Sequence, residues 1–295
     1  MEKFDWTKPI KLNMLGLRVL GFWPSGYETY KLDPYTVYSV CMYLFVASHN
    51  IFQTVYIFQV YTDLEALAAI IFVLFTDWLD ALKGYYFFRN MKLLKKLMIE
   101  LENEQFQPKH LRQRQFLQPL FNSWKLAFYT FVFFAFFTLL LLVIFPILDG
   151  SFGDHRLPFF AWYPYNITIS PMYEITYFYQ VICIWFLASV CLNVDNFIAA
   201  LMMYVGGQCD ILCDNLRNLK QVNFNKNLIS CIEHHKKIVR YVCVDVKMRV
   251  DLSNKIFQFC VRCKQVFQCY SSGAIFYEFG VVRTGNVSTD RGKFF

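Results

Sequence analysis

The sequence predicts an all-α protein: a polytopic transmembrane helix bundle with a cytoplasmic N-terminus, at least four spans and a fifth apolar segment left open. The first observation is composition, because 56% of the residues are hydrophobic and 20% are aromatic, more than an ordinary soluble domain contains. The second is that apolar runs of about 20 residues, the length of a membrane span, alternate with polar connections. The third is that Lys and Arg are concentrated in alternate connections, as the positive-inside rule requires.

Four apolar segments predict four membrane helices of bilayer-crossing length. They are residues 35–60, 64–88, 126–148 and 173–205. Asp33-Pro34 predicts the start of the first helix, because proline is tolerated in a first helical turn. Pro108 and Pro119 are expected to interrupt the amphipathic helix that continues from span two, and Gly206-Gly207 is expected to end span four.

The chain divides into three parts by composition. Residues 1–34 form a cytoplasmic segment without an apolar run of signal-peptide type, so span one is expected to act as the insertion signal. Residues 35–254 form the helix bundle with its amphipathic intracellular helices, and residues 255–295 form an atypical C-terminal segment. Within that segment, residues 266–282 are apolar enough for a partial fifth span. Near the other end, the amphipathic LRVLGFWP stretch predicts an interfacial helix with Trp23 at the headgroups.

Charged residues inside the spans predict an intramembrane charge network. Asp77, Asp80 and Lys83 are spaced three apart, which places them near one face of span two. Asp195 lies at a similar depth on span four. An unpaired buried charge costs roughly 3–5 kcal/mol, so we expect Lys83 to pair with Asp195. Asp80, one helical turn away, and snorkelling to the headgroups are the alternatives.

The loop between spans three and four decides the orientation. It contains LPFFAWYPYN, residues 157–166, and the sequon that begins at Asn166. Few Lys and Arg flank it, whereas the N-terminus and the second and fourth connections carry many. The positive-inside rule therefore places this loop outside the cell and the N-terminus inside. We expect glycosylation of Asn166 in a multi-pass protein of the plasma membrane.

Other polar residues point to packing rather than to chemistry. His49 in span one is expected to be a hydrogen-bonded packing residue, with a sensor role as the alternative. The ten cysteines are expected to be reduced thiols, and the single CxxC at Cys260 and Cys263 has no second pair to complete a metal site. The sequence contains no HExxH, Walker, GxSxG or dinucleotide motif, so we expect no enzyme activity and no cofactor. The basic residues form no stripe, so no nucleic-acid partner is expected.

Four stretches resemble the insect odorant receptor family: LRVLGFWP, LKGYYFF, LPFFAWYPYN and IEHHKKIVRY. Their order and the inverted topology agree with that family. The resemblance covers about residues 10–255, with the gustatory receptors as the nearest competitor. Beyond that range the chain departs from the pattern, so we expect a truncation on the C-terminal side.

The resemblance implies a seven-helix subunit of a ligand-gated, non-selective cation channel in olfactory transduction. Such subunits form hetero-tetramers with an odorant co-receptor subunit, and small volatile apolar odorants bind in the outer half of the bundle. The resemblance supplies the helices of the pocket and helical spacing supplies its residues: Phe72, Phe75, Thr76, Phe134, Phe137, Leu141, Tyr177 and Val181. A gustatory-type channel subunit, a truncated non-conducting isoform and a transporter remain as alternatives.

Overall fold

All regular structure in the described part of the chain is helical, which confirms the predicted all-α class. The computed structural model describes residues 3–24, 33–60, 64–148, 150, 155–219, 224–243, 246, 253–254 and 258. The predicted partial span at 266–282 and the CxxC cysteines lie outside these residues. Residues 1–246 form one compact unit, to which the description below refers.

The helices follow one another along the chain, and the longest connection between them is the loop between α5 and α6. They are α1 (Lys11–Val19), α2 (Pro34–Ile57), α3 (Leu64–Arg89), α4 (Met91–Leu101), a 3-10 turn (Glu104–Phe106), α5 (Leu111–Leu148) and α6 (Met172–Arg217). Residues 224–243 form a further helix, α7. Helix α6 is the central element, because it packs against α1, α2, α3 and α5.

Helix α2 begins where the sequence predicts. The Asp33 carboxylate accepts hydrogen bonds from the Thr36 backbone N–H at 2.9 Å and from its hydroxyl at 2.7 Å. Pro34 occupies the first turn, where a missing N–H costs no helical hydrogen bond. Together these residues satisfy the free donors of the helix N-terminus.

Three of the described helices are long and apolar enough to cross a membrane: Pro34–Ile57, Leu111–Phe145 and Met172–Arg217. The remaining predicted span, α3, has 26 residues, which is also sufficient to cross a bilayer. Helix α3 is not among these three because its apolar stretch carries the charged residues Asp77, Asp80 and Lys83. It packs against α2 and α6, and these neighbours supply polar partners inside the bundle.

Of the two prolines expected to interrupt the helix after span two, Pro108 lies between α4 and α5, whereas Pro119 interrupts no helix, so the expectation for Pro119 was wrong. Pro119 lies within α5, which has 38 residues and begins at Leu111 rather than at residue 126. A proline removes one intrahelical hydrogen bond, but its neighbours Leu117 and Phe121 are buried. Burial of the face that carries Leu117 and Phe121 stabilises α5 on both sides of Pro119.

The Gly206-Gly207 pair does not end α6, which continues to Arg217 for a total of 46 residues. Gly207 is instead a packing residue, since a Cβ atom there would lie 2.7 Å from Leu117 Cδ2. Glycine therefore permits α5 and α6 to approach closely. At 1.5 Å per residue the helix is about 69 Å long, more than twice the hydrocarbon thickness of a bilayer, so α6 projects far beyond one face.

The N-terminal segment packs on the projecting end of α6. Trp6 is buried, and its carbonyl accepts a 2.5 Å hydrogen bond from the Tyr204 hydroxyl. Trp23 does not lie at the headgroups as expected, because it is buried with its ring 5.2 Å from that of Phe197. This indole contributes to the protein core because α1, which precedes it, packs against α6.

Candidate functional site

The LPFFAWYPYN loop folds over the end of α2 and the start of α6. The fully buried side chain of Gln180 holds it. Its carbonyl accepts from Phe159 N at 3.0 Å, and its amide donates to Phe159 O at 2.9 Å and to the Tyr163 hydroxyl at 3.1 Å. On the other side, Trp162 N donates to Phe52 O of α2 at 3.1 Å. These hydrogen bonds to α6 and α2 hold the loop in place over the two helices.

Tyrosines of the loop and of α6 add further hydrogen bonds between the loop and this helix. The Tyr173 hydroxyl donates to Arg156 O at 2.9 Å, and the hydroxyls of Tyr165 and Thr176 lie 2.9 Å apart. Burial raises the pKa of the Tyr163 phenol. These phenols therefore hold the loop by hydrogen bonds and add no charge to it.

Beneath the loop, aromatic rings surround the fully buried imidazole of His49. The rings of Tyr179 and Phe159 lie 6.0 Å and 6.3 Å from it, both edge-on. Phe52 connects this group to the loop, with its ring 5.2 Å from that of Tyr163. This aromatic cluster packs around His49, and aromatic faces and edges also make favourable contacts with flat apolar molecules.

A line of buried polar groups runs from His49 into the bundle. His49 Nε2 and Gln53 Nε2 lie 3.2 Å apart, so His49 is a hydrogen-bonded packing residue as expected, and Gln53 in turn contacts the Asp77 carboxyl. Within the described residues, five side-chain atoms of this group have no hydrogen-bond partner: His49 Nδ1, Asn50 Nδ2, Asn50 Oδ1, Gln53 Oε1 and Asp77 Oδ2. Buried polar atoms are nearly always paired, so this line can receive the polar group of a ligand.

The structure does not gather the predicted ligand-binding residues into one enclosed pocket. On α6, Tyr177 is buried and its hydroxyl donates to Val143 O at 2.6 Å, while Val181 is half-buried. On α3 and α5, the predicted side chains lie on the surface of the described bundle: Phe72, Thr76, Phe134, Phe137 and Leu141 are exposed and Phe75 is half-buried. Helices α3 and α5 both pack against α6, so these side chains lie on two helices that share one neighbour.

Trp185 is a residue that sequence reasoning missed. It is half-buried, and its ring lies 5.0 Å from that of Phe136 on α5. Its indole Nε1 is buried without a hydrogen-bond partner in the described part of the chain. A donor-only group inside an apolar span was the available signal, and its position beside α5 makes it a candidate contact for a ligand oxygen.

Three of the four residues of the predicted charge network meet. Lys83 Nζ lies 3.2 Å from Asp195 Oδ2 and 3.5 Å from Asp80 Oδ1, so the cross-helix partner and the local competitor both contact it. The Cys191 thiol completes the cluster at 3.3 Å. Asp77 stays apart beside Gln53, because its position on α3 faces α2.

The sequon lies on the surface of the loop. Asn166 is exposed, and its side-chain oxygen Oδ1 accepts hydrogen bonds from Thr168 N at 2.9 Å and from the Thr168 hydroxyl at 2.7 Å. The described residues contain no group of three or more His, Cys, Asp or Glu that could hold a metal ion.

Comparison with known proteins agrees with this architecture. The profile of the 7tm Odorant receptor family matches residues 63–246. Odorant receptor Or1 of Anopheles gambiae is 26% identical over 294 residues, covering 93% of this chain and 67% of that protein. This chain therefore spans about two thirds of the length of that relative.

Two solved structures share the fold. The insect olfactory receptor OR5 from Machilis hrabei superposes with a TM-score of 0.70 at 17% identity, over 86% of this chain and 69% of that one. The same receptor in complex with eugenol gives 0.68 at 19% identity, over 85% and 68%. Because the profile matches more than half of the sequence, the chain belongs to the 7tm odorant receptor family.

Proposed function

We propose that this protein is an odorant receptor that acts as a subunit of a ligand-gated, non-selective cation channel. In this proposal it works in the plasma membrane as a hetero-tetramer with an odorant co-receptor subunit. Membership of the odorant receptor family over residues 63–246 is the observation that carries the proposal. The absence of catalytic motifs from the sequence supports a receptor rather than an enzyme.

The chemistry of the outer half supports small, volatile, largely apolar ligands. Burial of apolar surface contributes about 25 cal/mol per Å², so aromatic walls retain such molecules without charge. The relative solved with eugenol supports a ligand of this size. The unpartnered Trp185 Nε1 and the polar line at His49 supply the hydrogen bonds that orient a ligand oxygen.

We infer that the ligand lies in the groove between α3 and α5, with α6 as its floor. The walls are the outward aromatic side chains predicted from helical spacing, and the floor is Tyr177, Val181 and Trp185. Phe72 and Phe137 are 74% and 49% exposed. Large aromatic groups that remain uncovered in this part of the chain favour an apolar occupant.

The proposed orientation places the N-terminus in the cytoplasm. Two contacts gather the inner elements at the projecting end of α6: Phe4 N donates to Gln107 Oε1 at 2.8 Å, and Gln208 Nε2 donates to Phe106 O at 3.0 Å. These elements carry most of the Lys and Arg in the connections, which supports a cytoplasmic position. The loop with Asn166 then lies outside.

Current recordings test this proposal. The protein is expressed in cells with and without a co-receptor subunit, and a panel of small volatile molecules is applied. We expect ligand-dependent cation current whose ligand selectivity changes when this chain replaces another receptor subunit. A protein that reaches the surface with its co-receptor but never alters ligand selectivity would favour the non-conducting isoform instead.

A further inference from the structure

A polar cavity lies at the inner end of the bundle, far from the outer groove. It occupies about 400 Å³ between the start of α5, the end of α6 and α7. Its polar lining includes Lys109, His110, Arg112, Asn215, Asn227 and Ser230. This volume falls within the range of small-molecule sites, about 300–1,000 Å³. An adjoining chamber of about 190 Å³ shares Lys109, Asn215 and Ser230 with it.

The cavity is positively charged. Lys109 and Arg112 line it, and the one acidic residue in its lining is Asp214. That carboxylate already accepts hydrogen bonds from Gln113 Nε2 at 3.0 Å and from Asn218 Nδ2 at 3.0 Å. Its contact with Arg112 Nε is longer, at 3.9 Å. Asp214 is therefore held by neutral donors as well as by Arg112, whereas Lys109 forms no ion pair with a carboxylate among the described residues.

The start of α5 adds further anion-binding groups to the same cavity. The first turn of this helix contains no acidic residue of its own, so the partial positive charge of the helix N-terminus adds to the charges of Lys109 and Arg112. Gln113 holds the turn in place by accepting from Lys109 N at 2.8 Å. Asn227 and Ser230 face the cavity from α7. Cations, a helix N-terminus and neutral donors together match the oxygens of a phosphate group.

The depth of the cavity shows which source of phosphate can reach it. Lys125 is the last charge on α5 before its apolar stretch, and Leu111 lies fourteen residues before it, which is about 21 Å along the helix. Even at a tilt of about 40° this separation remains about 16 Å. The headgroup layer extends only about 5–8 Å beyond the hydrocarbon. A lipid headgroup would therefore stop short of the cavity, whereas a soluble molecule would not.

We propose that this inner cavity binds a soluble, phosphate-bearing small molecule from the cytoplasm, with Lys109 and Arg112 as the principal ligands. The volume exceeds what a single phosphate needs, so the occupant carries its phosphate groups on an organic frame. The cavity joins α5, α6 and α7, and an anion bound there holds the inner ends of these helices together. This proposal does not depend on the identity of the odorant or on channel activity.

Binding is tested on the purified full chain with two probes that share one headgroup. Inositol trisphosphate is the soluble probe, and nanodiscs with or without phosphatidylinositol bisphosphate are the lipid probe. The variants are Lys109→Gln and Arg112→Gln, with Lys96→Gln as the control, because Lys96 is an exposed inner-side lysine outside the cavity. Both target residues are exposed, so the fold is expected to persist and is checked by size-exclusion chromatography.

We expect saturable binding of inositol trisphosphate that weakens with added salt. Each target variant should raise its Kd about fivefold, while Lys96→Gln leaves it unchanged. No saturable binding, or equal binding by all variants, would overturn the site. Binding to the lipid nanodiscs without binding to the soluble probe would overturn the assignment to a soluble molecule.

Discussion

The Lys83 ammonium of α3 lies 3.2 Å from the Asp195 carboxylate of α6, which joins two membrane helices through one ion pair. Asp80 contacts the same ammonium at 3.5 Å. One lysine therefore serves two carboxylates, and a change at Lys83 leaves both without their cation. A change at Asp195 leaves Lys83 with Asp80.

Lys83→Asp is accordingly expected to reduce surface expression more than Asp195→Lys does. The loss stays below the roughly 3–5 kcal/mol typical of a fully buried pair, because the Asp195 side chain is 54% exposed. The double variant should recover much of the expression, as measured by surface labelling. Lys92→Asp, at an exposed position on α4, is the control. Strictly additive losses in the double variant would assign the main role to Asp80.

Two adjacent glycines on α6 should respond oppositely to alanine. A Cβ atom at Gly206 meets nothing within 4 Å, whereas one at Gly207 lies 2.7 Å from Leu117 Cδ2. Gly206→Ala should raise stability by about 0.5–1 kcal/mol through helix propensity. Gly207→Ala gains the same propensity but overpacks the buried Leu117, at a cost of about 1–3 kcal/mol. Thermal unfolding of the purified variants measures the difference, and equal effects at both positions would contradict the close approach.

The stability of the inner end should depend on pH through His234. This imidazole is buried, and its Nε2 lies 3.0 Å from Gln208 Oε1, which can only accept, so Nε2 carries the proton. Burial, assisted by the charges of Lys109 and Lys237, lowers the pKa of His234 from 6.5 to about 4. The unfolded chain therefore binds more protons than the folded chain between these values.

The stability contributed by neutral His234 is complete above about pH 6.5 and is lost as the pH falls toward 4. The unfolding temperature should fall over that window. His234→Gln should flatten the decrease because glutamine does not titrate, while its amide can still donate to Gln208. The exposed neighbour His235 provides the matched control, as His235→Gln. An unchanged pH profile for His234→Gln would refute this role.

Glycosylation tests the orientation. Asn166 is exposed in the loop that we propose lies outside the cell, so expression in eukaryotic cells should give a glycosylated protein. Asn166→Gln should remove the mass shift, which treatment with a glycosidase would reproduce. Labelling of a tag at residue 1 on intact cells would contradict a cytoplasmic N-terminus.

Ligand preference tests the proposed groove. Phe75→Ala and Phe137→Ala shorten its walls and should change the rank order of active ligands. Trp185→Phe removes a hydrogen-bond donor while keeping the ring, so it should weaken ligands that carry an oxygen and spare pure hydrocarbons. Leu126→Ala, on an exposed part of α5 near the inner side, is the control. Unchanged rank order in all three variants at normal surface expression would remove the groove assignment.

Some features of this protein follow from local sequence. The Asp33-Pro34 start of α2 and the apolar segments of the spans need only helix geometry and solvent transfer, which act over a few residues. The spacing of Asp80 and Lys83 likewise places them one turn apart. The ion pair between Lys83 and Asp195 could also be predicted from the sequence, because few charges lie at that depth and an unpaired charge is costly.

Other features were decided by the tertiary structure. Proline and glycine are weak helix formers by themselves, yet Pro119 and Gly207 lie inside long helices because packing between α5 and α6 outweighs local propensity. Trp23 carries no local sign that α6 covers it. Helical spacing identified the faces that carry Phe72 and Phe137, but spacing describes one helix at a time. Only the packing of α3, α5 and α6 determined that these faces stay exposed in the described bundle, because burial depends on what lies opposite.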